Sequence, residues 1–131
     1  MVIGILLMLV SGLVLADTGD NVLVGKWISD KEKTLAYTKS VYPDVPKKNI
    51  NEIEKLLGTV VVTFSENEVI TDIAGLQLGK GKYSILLVTD SLVVIEDTKD
   101  GSIVWYRDGE DSYYLVTTKP YMPREYFKRI E

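Results

Sequence analysis

The chain has no cysteine and no histidine among its 131 residues. The first absence removes disulfides, thiolate metal sites and thiol nucleophiles together. It also removes a lipid-bearing cysteine behind an apolar leader. The second removes the commonest general base and the commonest transition-metal ligand. No Gly-x-Ser-x-Gly elbow compensates for them, and no pair of carboxylates is marked out for glycoside chemistry. A catalytic site, a metal and a cofactor are therefore not expected. A large excess of charge is also missing: the net charge is −4, with both signs interspersed. Such a surface does not suit nucleic acid, which favours a basic face.

A long apolar run is present once. Residues 1–16, MVIGILLMLVSGLVLA, carry no charged side chain and stop at Asp17. Val14 and Ala16 sit where a signal peptidase accepts small residues. The run is shorter than the ~20 residues a spanning helix needs. It reads as a signal peptide, although its start lacks Lys and Arg. The expected location is periplasmic or secreted, with membrane anchoring by residues 2–16 as the alternative. Membrane contact is expected only through an uncleaved leader. Residues 17–131 then form one domain.

Within that domain, Val22 to Ser29 reads as a strand rich in β-branched and aromatic residues. Asp30 caps a short helix over DKEKTLAYTKS, whose weak apolar face is Leu35 with Ala36. The breaker YPDVP separates it from a clearer helix, INEIEKLLG, capped by Asn49 or Asn51. Ile50, Ile53, Leu56 and Leu57 make its stripe and Gly58 its stop. That stripe should lie on the sheet or plug one end of a barrel.

After Gly58 the apolar period becomes two. Strands are expected over residues 59–65, 68–73, 82–89, 92–97, 102–107, 112–118 and 124–131. Gly75, Gly79 and Gly81 mark a bent, turn-rich stretch around Leu76 and Leu78. Lys99-Asp100-Gly101 and Asp108-Gly109 close hairpins. About eight short strands in meander order point to a mainly β fold, an up-and-down antiparallel β-barrel with one or two short helices near the N-terminus.

Gly25-Lys26-Trp27 on the first strand resembles the Gly-x-Trp signature of lipocalins. With GKWISDKEKTLAY, GTVVVTFSENEV and the terminal REYFKRI, the chain is similar to small, exported, lipocalin-like (calycin-type) proteins of bacteria. The resemblance implies a barrel base closed by Trp27, with a basic residue of the last strand across it. Arg124 and Arg129 are the candidates. The chain differs from typical lipocalins in its length, its early helix and its lack of disulfides.

Tyr83, Trp105, Tyr106, Tyr113 and Tyr114 crowd three strands. Adjacent members must point to opposite faces, so one of each pair lies outside. Such rings either line a pocket or make a contact face, or they fill a core. The ligand-lining candidates are Trp27, Tyr83, Trp105 and Tyr113. Asp97, Asp100, Asp108, Glu110 and Asp111 match no calcium loop and read as solvated turn acids. A small hydrophobic or amphipathic ligand is the expected partner. An envelope protein, bound by a non-enzymatic inhibitor, immunity or assembly module, is the alternative.

Overall fold

The computed structural model describes residues 21–98 and 101–130. The expected leader, and Lys99 and Asp100 of the expected hairpin closure, lie outside the described residues. Eight strands follow one another around a closed antiparallel barrel. They are β1 (Gly25–Ser29), β2 (Val60–Phe64), β3 (Glu68–Ile73), β4 (Leu76–Val88), β5 (Leu92–Asp97), β6 (Gly101–Gly109), β7 (Ser112–Val116) and β8 (Arg124–Arg129). β1 pairs with β8 at Trp27↔Arg129, which closes the sheet. Two helices, α1 (Lys31–Val41) and α2 (Lys47–Leu56), interrupt the meander between β1 and β2. They thus follow the first strand rather than precede the sheet.

The first strand is shorter than the alternation of its residues implies. Asn21 accepts from the Leu23 and Val24 amides through its side chain and its carbonyl. That local turn competes with a ladder and wins. Gly25, at φ 135°, then swings the chain into β1, a conformation open to residues without a Cβ. Residues 21–24 therefore form a strap under the barrel, not a strand.

Helix α1 is capped by Asp30, whose carboxylate accepts from the Lys33 amide. Its buried face is Thr34 and Thr38, while Ala36 is exposed. Thr34 wins because α1 lies along β8, where a backbone edge needs a polar partner, whereas the buried Thr38 hydroxyl has no hydrogen-bond partner among the described residues. Thr34 Oγ1 accepts the Tyr126 amide at 2.9 Å, and the Asp30 amide donates to the Tyr126 carbonyl. A helix thus completes the β1–β8 seam beyond the last ladder rung. Helix α2 starts at Lys47 behind Pro46, earlier than either asparagine, because the Pro46 carbonyl already accepts from Asn49 and Ile50. Ile53 and Leu57 are buried with Met122 and the edge of Leu35, and Leu56 stays outside. The stripe packs on α1 and the β7–β8 connection, so α2 is not a plug of the barrel.

The stretch around Gly79 and Gly81 is not a turn. β4 runs unbroken through 13 residues. Its ladder to β3 carries the glycines as Thr71↔Gly79 and Val69↔Gly81, with a bulge between Thr71 and Asp72. Cross-strand pairing overrides the weak strand preference of glycine. The turn lies earlier, at Ala74-Gly75, where both residues have positive φ, as a two-residue hairpin requires.

Candidate functional site: the barrel lumen

Alternation divides the wall cleanly. Val60, Val62, Phe64, Val69, Ile95, Trp105 and Phe127 face inward, and their neighbours face out. The inward aromatics gather at one level. Trp105 meets Phe127 at 5.2 Å and Phe64 at 5.3 Å between ring centroids. Trp27 and Tyr113 stand edge to face at 5.2 Å below them.

The base is sealed by hydrogen bonds as well as rings. Trp27 Nε1 donates to the Leu23 carbonyl at 2.8 Å. The Arg129 guanidinium lies 4.3 Å from the Trp27 ring and donates to the Val22 and Val24 carbonyls. Its Nε also pairs with Asp111 at 3.0 Å. Asn21 donates to the Tyr83 hydroxyl, which in turn donates to the Ser65 carbonyl. Burial raises the Tyr83 phenol above its usual range, against the Asn21 hydrogen bond, so it stays neutral and able to donate. The Tyr113 phenol is raised by burial too.

Above this floor the lumen holds a cavity of about 410 Å³. Ligand pockets typically measure about 300–1,000 Å³. Its walls are mostly valine, isoleucine, leucine and the rings of Phe64, Trp105 and Phe127. Gly79 and Gly81 contribute inward positions with no side chain. A Cβ on Gly79 would meet nothing within 4 Å. The volume exists because β4 leaves those positions bare. Glu125 and Asp97 supply carboxyls to the lining, and Lys80 and Lys119 supply exposed ammonium groups. Burial pushes the Glu125 carboxyl above the usual carboxylate range, and the Lys119 charge opposes this.

A second opening lies in the wall. The β6–β7 ladder ends at Tyr106↔Tyr114, where the two rings stack at 5.1 Å and 14°. Beyond that rung β6 keeps its pairs to β5 but no ladder pair joins it to β7. A cleft of about 340 Å³ sits there, lined by Ser102, Ile103, Val104, Tyr106, Leu115 and Val116. Ile103 and Leu115 line the lumen as well. The open seam therefore borders the cavity from the side.

Of the aromatics singled out in the sequence, Trp105 lines the cavity. Trp27, Tyr83 and Tyr113 are buried beneath it in the sealed base. Arg129 is the basic residue across Trp27. Arg124 faces outward, between the rings of Tyr37 at 4.4 Å and Tyr114 at 4.1 Å. Tyr106, Tyr114 and Tyr126 form an outer ladder, and α1 covers its Tyr126 end through Tyr37. Sequence reasoning missed Glu125. Its signal was present: it is an acid whose neighbours in strand alternation, Phe127 and the cross-strand Leu115, are apolar.

The fold and the lumen define the class: a closed eight-stranded antiparallel barrel, plugged at its base and cavitied above it. Neither a known protein family nor a curated protein nor a solved structure matches the chain.

Proposed function

We propose that the protein is an exported, lipocalin-like binding protein that carries a small apolar or amphipathic ligand and performs no catalysis. One observation carries this reading: the cavity of about 410 Å³ with apolar walls above a rigid aromatic floor. Eight strands enclose about enough space for one small ligand. The sealed base supports a lipocalin-like assignment, since Trp27 lies under Arg129 of the last strand. The apolar leader supports export. The alternative reading, an envelope interaction module, draws on the outer tyrosines. Those are largely occupied by Arg124 and Tyr37.

The test is titration with N-phenylnaphthylamine, a neutral apolar dye that brightens when desolvated. The wild-type chain should bind it saturably. Gly79→Leu places a side chain in the open space above Gly79. It should weaken dye binding at least about tenfold, or ~1.4 kcal/mol, while its melting temperature holds. No uptake by the wild type, or equal uptake by Gly79→Leu, overturns the reading.

A further inference from the structure

Glu125 needs an explanation that folding does not supply. It sits on β8 between the outward Arg124 and Tyr126, so alternation turns it into the lumen. Its cross-strand partner is Leu115 and its next inward neighbour is Phe127. Among the described residues none donates a hydrogen bond to its carboxyl or forms an ion pair with it. A half-buried carboxylate that has no hydrogen bond or ion pair and feels only the Lys119 charge costs stability, and a leucine there avoids that cost. The groups around it are sorted by depth. From β5, Asp97 leans over Gly81, its Oδ1 lying 3.6 Å from the site of a Cβ. From β4 and the β7–β8 connection, Lys80 and Lys119 are exposed at the rim. Carboxyls are thus set into the wall and ammonium groups outside it.

A molecule with an apolar tail and a positive head satisfies both features of this lumen. Its tail covers Val62, Val69, Ile95 and Trp105. Its ammonium group donates to the carboxyl and offsets the cost of burying it. An anionic amphiphile would place its head against the wall acids or stay at the rim lysines. We propose that Glu125 is the head-group receptor of the cavity, and that the ligand is a cationic amphiphile, an aliphatic chain ending in a protonated amine. This rests on reading the lumen as a ligand site.

The experiment compares octylamine, octanol and octanoate against the full chain by calorimetry at neutral pH. Octylamine should bind at least about tenfold more tightly than octanol, and octanoate most weakly. Glu125→Gln should bring octylamine down to the octanol affinity and leave octanol unchanged, which also certifies the fold. Glu125→Asp, which keeps the charge, should retain part of the preference. Lowering the pH should remove the preference as the carboxyl protonates, starting above the usual carboxylate range. Equal binding of the three compounds overturns the head-group assignment and leaves the lumen reading intact. Preference for octanoate overturns it in favour of the rim lysines. Binding of none overturns both.

Discussion

Arg129 holds the base of the barrel together by touching unlike groups at once. Its guanidinium covers Trp27, donates to two strap carbonyls and pairs with Asp111. Planar geometry and five donors let arginine do this where lysine would reach one partner at a time. Hydrogen bonds from a charged donor contribute about 1.5–3 kcal/mol each, and Arg129 is partly solvated. Arg129→Ala should therefore cost about 2–4 kcal/mol in urea unfolding, and Arg129→Lys somewhat less. Arg124→Ala, which removes only stacking on the outer tyrosines and a hydrogen bond to Tyr126, should cost about 1 kcal/mol. Equal losses would show that the base does not depend on Arg129. The two arginines are both basic residues of one strand. Five positions apart, they lie on opposite faces because strand side chains alternate.

Seams decide where the barrel is stiff. The β1–β8 seam continues past its ladder through Thr34 and Asp30. The β6–β7 seam has no such helix and opens after Tyr106↔Tyr114. Backbone amides on that edge of β6 must rely on solvent. Hydrogen exchange should therefore be fast at the seam-facing amides among Ser102–Val104. It should be slow at those facing β5, and at Tyr126, whose amide Thr34 accepts. Uniform protection along β6 would mean that the seam is closed in solution. Because Ile103 and Leu115 belong to both cleft and cavity, apolar ligand should slow exchange there. The helices show why such detail escapes a reading of the sequence. Asp30 as a cap is a local matter, settled within one turn. The burial of Thr34 is not, since its hydroxyl finds its partner in an amide of a strand edge far away in sequence.

The eight described strands form a single sheet closed on itself, so no strand can leave without opening the ring. Unfolding should be one cooperative transition. A ligand bound only by the intact barrel should raise it by mass action: about 2.7 kcal/mol at a hundredfold excess over Kd. Calorimetric melting with and without octylamine checks this. Two separable transitions, or no shift at saturation, would contradict a lumen built by the closed sheet. Much of this architecture was legible in the chain. Alternating Val, Ile and Phe, turn signals such as Asp108-Gly109, which ends β6 just before the turn at Glu110-Asp111, and the switch of period after Gly58 specify strands and meander order, because hairpins form between neighbours in sequence. The pairs Trp105-Tyr106 and Tyr113-Tyr114 had to split between two faces, as they do. Alternation cannot say which face is the inside, how many side chains meet at one level, or where two strands part. Phe64, Trp105 and Phe127 became a floor, with Trp27 beneath it, because closure brought their strands together. Gly79 and Gly81 became cavity because pairing with β3 held them straight. Glu125 became the lumen-facing, half-buried carboxyl because Arg124 and Tyr126 claimed the outer face. Local periodicity set the elements, and the closed hydrogen-bond register, which joins residues far apart in sequence, decided the site.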